Sequence, residues 1–271
     1  MKKLLVIFLT YYTDYTRSSL NALESMLAMA RVPYEIIIVN NGNSELSTKP
    51  HTLIAGDNSW NEFSGWQAGI NHARLMGSLD NCLGVVLAND TLGHHNRFGL
   101  LSRCMFAMNL RKIINLKEPA AAGECWDFYT DYEVSGYRCS RWITTSLLMV
   151  NWAALPGLDP VIDPKITPAS SADEYFRMFN VSKELKHQVQ GWLGQIELPS
   201  GKPLWYGVEN DDSPKYQRKI AQKTAMILLE YRLSARLAEH GAKLIDVFGG
   251  KLLPQLRRFE AKPVKVNKSH P

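Results

Sequence analysis

Leu83-Gly84-Val85-Val86-Leu87-Ala88-Asn89-Asp90-Thr91 is the stretch that decides how this chain folds. A short apolar run closed by an amide, an acid and a hydroxyl predicts a buried strand of an α/β sheet with polar groups at its carboxyl end. Open α/β sheets bind their ligands at that end. A carboxylate in that position is suited to a hard divalent cation, which in turn can hold a diphosphate.

The segments before this stretch complete an α/β pattern. Lys3 to Leu9 reads as a first buried strand, ending in Thr10-Tyr11-Tyr12. Tyr34 to Val39 reads as a second, ending in Asn40-Asn41-Gly42-Asn43. Between them Leu20, Leu23, Leu27 and Ala30 recur at helical spacing, with Arg31 and Pro33 as stop signals. Thr52 to Ala55 suits a short third strand, and Glu62 to Met76 leads as a helix into the strand before Asp90. This alternation predicts a parallel, doubly wound sheet. The opening Met1-Lys2-Lys3-Leu4-Leu5-Val6-Ile7-Phe8-Leu9 imitates a signal peptide. Its apolar part is short and no small-residue cleavage site follows, so it reads as the first strand.

Composition narrows the class. The chain has 271 residues, 45% of them hydrophobic, which suits a globular protein with a sizeable core. No apolar run reaches the ~18 residues of a membrane span. The four cysteines, at 82, 104, 125 and 139, include no Cys-x-x-Cys pair, so a structural zinc site is not expected and a reducing cytoplasmic setting is. The whole net charge of +5 sits in residues 251–271, where six basic residues meet one acid. Leu252, Leu253, Leu256 and Phe259 add an apolar face there, so the tail reads as a basic amphipathic contact for an anionic membrane surface. Nucleic acid is not an expected partner, because the rest of the chain has no basic excess and no recognition motif.

The first hundred or so residues resemble the nucleotide-sugar half of family 2 glycosyltransferases, which have the Rossmann-like GT-A fold. Three fragments carry it there: Val39-Asn40-Asn41-Gly42-Asn43 after the second strand; Asn58, Glu62, Phe63, Ser64, Gly65 and Gly69 around the next helix; and Asn89-Asp90-Thr91; on the acceptor side, Glu230-Tyr231 with Leu233 and Arg236 resembles a further segment of the family. The nearest comparison is a branch making bacterial surface polysaccharides such as O-antigen or capsule, rhamnan-type transferases among them. The resemblance implies a GT-A fold with a mixed central sheet and a helical C-terminal extension. It implies one transferase domain over residues 1–250, with a nucleotide-sugar half at 1–95 and an acceptor half at 96–250, followed by the tail. The expected donor is a UDP-, TDP- or GDP-sugar. The expected acceptor is a polyprenyl-diphosphate-linked or growing saccharide at the inner face of the cytoplasmic membrane.

The same resemblance assigns the site. Asp90 is the expected ligand of Mn²⁺ or Mg²⁺, although the motif offers one carboxylate where the family commonly has two. Thr10, Tyr12, Asn40, Asn58, Glu62, Gly65 and Asn89 are the expected nucleotide-sugar contacts. Asn40 stands where the family usually has an Asp that accepts from the base, and an amide oxygen can accept the same bond without charge assistance.

The second half supplies acceptor-side candidates. Asn96 to Leu116 predicts a helix, Pro119 to Ala122 a strand, and Tyr137 to Val150 one or two more, with Thr144, Thr145 and Ser146 able to bond sugar hydroxyls. Residues 156–175 read as a long loop carrying Asp173 and Glu174. Residues 182–194 suit a helix, 196–206 a hairpin turning at Ser200-Gly201, and Tyr216 to Glu239 a long helix. Glu230 on that helix is the expected base, because inverting members of the family carry an acid there that deprotonates the acceptor hydroxyl. Asp173 and Glu174 compete for the role. Two other classes remain: a non-catalytic pseudo-transferase serving as an assembly subunit, and a sugar nucleotidyltransferase-like α/β enzyme. The latter normally carries a Gly-rich phosphate loop after its first strand, which Thr10-Tyr11-Tyr12-Thr13-Asp14 is not.

Overall fold

The alternating faces of the first strand organise the molecule. In β1 (Lys3–Thr10), Leu4, Val6 and Phe8 point to one side and Leu5, Ile7 and Leu9 to the other, and both sets are buried. Such a strand can only lie inside a sheet covered on both faces. The computed structural model, which describes residues 2–42, 51–95, 97–196 and 213–249, shows this.

β1 pairs in parallel with β2 (Tyr34–Asn40) on one side and β4 (Cys82–Asn89) on the other, and β2 carries β3 (Thr52–Ala55) at the edge. Beyond β4 lie β8 (Leu147–Asn151), β5 (Ala120–Gly123) and β9 (Lys243–Asp246). The seven strands run in the order β3-β2-β1-β4-β8-β5-β9, with β8 antiparallel to both its neighbours. The expected α/β class holds, and the sheet is mixed rather than wholly parallel.

Helices cover the two faces. α1 (Thr13–Ala30) and α3 (Leu100–Ile113) bury Leu23, Met26, Leu27, Phe106 and Leu110 against Leu4, Val6 and Phe8. α2 (Asn61–Leu75) and α7 (Pro214–Glu239) cover the other face, where Phe63, Trp66 and Leu228 meet Leu5, Ile7 and Leu9. α1 ends on Arg31 in the left-handed conformation (φ 53°), the usual way a helix is stopped. α7 starts on Ser213, whose hydroxyl accepts the Tyr216 N–H, with Pro214 in the first turn. Two buried arginines of α7 fasten it to the preceding loop: Arg232 pairs with Asp163 at 2.9 Å, and Arg236 donates to the Gly157 carbonyl at 2.9 Å.

A hairpin of β6 (Cys125–Val134) and β7 (Tyr137–Ile143) stands off the sheet against α7. Both β6 and β9 go beyond the elements expected from sequence. Short helices α4 (Leu155–Leu158), α5 (Ala172–Met178) and α6 (Lys183–Trp192) fill the remaining connection. The expected loop over 156–175 is therefore helical at both ends: α4 runs into it from Leu155 and α5 begins at Ala172. The expected hairpin at 196–206 and the basic tail at 251–271 lie outside the described residues. Among the described residues no helix is long and apolar enough to cross a membrane.

Candidate active site

Polar side chains gather at the carboxyl edge of the sheet because three local chains end there. β1 and β4 run in parallel and finish side by side, at Thr10 and Asn89. β2 leaves β1 on one side and β4 lies on the other, so a crevice opens between the ends of β1 and β4. β8 runs the opposite way, with Leu147 opposite Ala88, so the turn before it, Thr144-Thr145-Ser146, reaches the same edge. The amino end of α2 and the middle of α7 form the walls. The result is a cleft of about 580 Å³.

Asp90 closes the β4 end of this cleft. Its Oδ2 accepts the Tyr11 N–H at 2.6 Å and the Tyr12 N–H at 2.5 Å, with the Thr10 hydroxyl 3.4 Å away. These bonds hold the turn from β1 into α1 against the end of β4. Burial pushes the Asp90 carboxyl up to about 6, against the opposing pull of the two N–H donors. The same burial, with Asp90 next in effect, raises the Tyr12 phenol.

Two further carboxylates, Glu62 and Glu230, line the same cleft. Glu230 accepts the Thr145 N–H at 2.8 Å, and Glu62 accepts the hydroxyl of the same threonine at 3.3 Å. Both keep part of their surface open to the cleft while protein packs closely on the rest. Burial pushes Glu230 up to about 8; the Thr145 N–H opposes this and the charge of Glu62 adds to it. Burial also raises Glu62, opposed by its own N–H, by Lys223 and by the Thr145 hydroxyl. Two glutamates whose surroundings disfavour their charge, in one cleft, are a typical setting for proton transfer.

The structure brings together some of the expected residues and separates others. Tyr12, Asn58, Glu62, Asn89, Asp90 and Glu230 line the cleft. Thr10 stands just behind it, 1% exposed, bonded to Thr16. Asn40 is turned to a local task, since its Oδ1 accepts the Gly42 N–H at 3.0 Å and it does not line the cleft. Gly65 is a packing residue: a Cβ there would come within 2.1 Å of Leu9 Cδ1, so its role is to let α2 approach β1. Asp173 and Glu174 lie in the first turn of α5, away from the cleft. Asp173 pairs with Lys186 at 2.7 Å, and Glu174 accepts the Ser170 N–H at 2.9 Å. Of the two neighbouring histidines, His95 lines the cleft, while His94 stacks on Tyr15 and bonds Ser18. Arg232, two positions after Glu230, pairs with Asp163.

Three contributors were not singled out from sequence for the roles they have. Thr145 acts through its backbone N–H, which no side-chain pattern announces. Lys223 brings a positive charge to the cleft from one helical turn before Ile227. Trp126 on the unforeseen β6 presents a half-exposed indole at the mouth, stacked on Trp142 with ring centres 6.2 Å apart.

Among the described residues no group of three or more His, Cys, Asp or Glu could hold a metal ion. Asp90 brings one carboxylate to the end of β4, and its Oδ2 accepts the Tyr11 and Tyr12 N–H groups. That donor set fits Mg²⁺ or Mn²⁺ as an ion arriving with a diphosphate, because Mg²⁺ is commonly held by one carboxylate, substrate phosphates and water. No protein-family model matches the chain, and no curated protein matches its sequence.

Proposed function

We propose that this chain is a glycosyltransferase of the GT-A type, moving a sugar from a nucleotide diphosphate to a saccharide acceptor in bacterial polysaccharide synthesis. One observation carries the reading: a carboxylate at the crevice between two parallel strands, Asp90, lines the same cleft as a desolvated carboxylate, Glu230. Donor recognition and proton removal need these two groups within reach of one reacting carbon. The sheet order with its single reversed strand, and α7 behind the cleft, agree with the resemblance that the sequence carries.

In this reading the diphosphate enters over the Tyr11–Tyr12 turn, with Tyr12, Asn58 and Asn89 around the nucleotide and sugar. Asp90 is the residue that would hold Mg²⁺ or Mn²⁺, and the bound ion would neutralise charge developing on the leaving diphosphate. Lys223, on α7, adds positive charge to the cleft beside Glu62. The acceptor hydroxyl approaches from the Trp126 mouth. Its oxygen forms the new bond to the anomeric carbon, the bond from that carbon to the phosphate oxygen breaks, and the proton passes to Glu230. Ordered placement of the two substrates supplies much of the rate. Glu230 must be ionised to accept the proton, so activity should rise with pH towards about 8. The lipid-linked nature of the acceptor, and a hold on the cytoplasmic leaflet through residues 251–271, belong to the same proposal and rest on the sequence alone.

A second reading has one observation in its favour. The bonds of Asp90 to Tyr11 and Tyr12 give it a structural task whether or not a ligand binds, as in a pseudo-transferase retained for assembly. Thermal shift against a panel of UDP-, TDP- and GDP-sugars, with and without Mn²⁺, separates the two. A bound donor raises the melting temperature by mass action. A rise with one donor class, lost in Asp90→Ala, supports the transferase; no rise with any donor sinks it.

A further inference from the structure

Glu62 and Glu230 are 168 positions apart in sequence, on α2 and α7, yet they bond the same residue: Thr145 gives its N–H to one and its hydroxyl to the other. We propose that Glu62 is a positioning residue for Glu230, and that the two carboxylates, joined through Thr145, titrate as one coupled unit in the free protein, with Glu230 holding the last proton. The catalytic purpose of the unit rests on the glycosyl-transfer reading; the coupling does not.

The geometry supplies the reason. Like-charged carboxylates in one poorly solvated place resist being ionised together, so losing the last proton is costly. Thr145 gives each glutamate one donor, and the two donors differ. The N–H is fixed by the backbone turn and holds Glu230 in one orientation. The hydroxyl rotates and follows Glu62. The other titratable groups facing the pair do not balance its charge evenly. Lys223, from α7, acts on Glu62. Asp90 and His95 come from the β4 end, Tyr12 from the β1 end, and Glu124 from the turn after β5. Glu62 is thus the glutamate with a cation nearby, and Glu230 the one left to carry the proton.

Above its midpoint Glu230 has released its proton to solvent, and the charge of Glu62 gives it a higher proton affinity than a solvated glutamate. When the acceptor hydroxyl is deprotonated, its proton goes to the ionised Glu230 and Glu62 keeps its charge. Glu230 returns that proton to solvent before the next turnover.

Carboxyl-carbon NMR of glutamate-labelled protein tests this without a substrate. In the native chain the Glu230 resonance should titrate near pH 8, and the Glu62 resonance should show an inflection at the same pH. Glu62→Gln should lower the Glu230 midpoint by at least one pH unit, a tenfold fall in proton affinity. Glu62→Asp, which keeps the charge, should leave it close to the native value. A Glu230 midpoint unmoved or raised in Glu62→Gln overturns the proposal. So does a native Glu62 resonance with no inflection at the Glu230 midpoint, a result that needs no variant to fold. A coupled titration in a protein that releases no nucleoside diphosphate from any sugar donor would retain the pair and remove the transferase reading.

Discussion

Replacing Glu230 by Gln should make the protein more stable at alkaline pH and leave it unchanged at acid pH. The sign follows from proton counting. Glu230 has an ordinary value of 4.5 when unfolded and about 8 in the fold. Between these values the folded chain binds more protons than the unfolded one, so stability falls as pH rises through that window and levels off above it. The interval sets an upper bound of about 5 kcal/mol at 1.36 kcal/mol per pH unit. Glu230 keeps part of its surface open to the cleft, and solvent there lowers the cost to roughly 2–3 kcal/mol. A glutamine has nearly the same shape, and its amide oxygen still accepts the Thr145 N–H, so the variant loses the charge and keeps the contact. At roughly 2 °C per kcal/mol for a chain of this size, the melting temperature of Glu230→Gln should exceed that of the native chain by about 4–6 °C at pH 9. At pH 4 to 5 the two should melt together. Scanning calorimetry at both pH values provides the check. An equal gap at both pH values, or a variant less stable at pH 9, would refute the claim that a desolvated carboxyl sits at this position.

Other outcomes follow from particular contacts. Asp90→Ala should remove donor binding and also cost about 1–3 kcal/mol, since the Tyr11 and Tyr12 N–H groups lose their acceptor; denaturant titration beside donor-binding calorimetry measures both. Gly65→Ala should destabilise the fold by about 1–3 kcal/mol through overpacking on Leu9, while donor affinity in the folded fraction stays unchanged. Asp173→Asn and Glu174→Gln should leave turnover at the native level, because Asp173 pairs with Lys186 on α6 and Glu174 with Ser170 before α5; a loss of tenfold or more in either would return the base to that segment.

The first ninety residues were the most legible part of the chain. Their strands are short apolar runs with polar ends, and their pairing follows from local crossovers, so β1 to β4 appear close to where the pattern puts them. Asp90 and Glu230 were legible as candidates from their motifs. What the motif could not carry was that Asp90 also ties down the next turn. The failures have physical causes. β9 is four residues long and forms only by pairing with Ala120–Gly123, far away in sequence. β6 has aromatic residues suited to a strand, but no regular alternation that separates it from a loop. Asp173 and Glu174 follow a polar Pro-, Ser- and Asp-rich stretch that reads as loop, although a cap stands before them. Ser171 accepts the Glu174 N–H, which is a helix start written in the sequence. Asn40 and Gly65 were assigned by resemblance; in the structure neither lines the cleft, Asn40 accepting the Gly42 N–H and Gly65 lying close against Leu9.

The central claim is that the cleft between Asp90 and Glu230 transfers sugar from a nucleotide diphosphate. The most direct measurement is nucleoside-diphosphate release from UDP-, TDP- and GDP-sugars in the presence of Mn²⁺, followed from pH 5 to 10 in the native chain, Asp90→Ala and Glu230→Gln. The account predicts release from one donor class, rising with pH to a plateau above about 8. It predicts a rate lower by roughly 10²–10⁴ in Glu230→Gln and no release above background in Asp90→Ala. Release that is equal in all three proteins, or absent from the native chain with every donor, would contradict it.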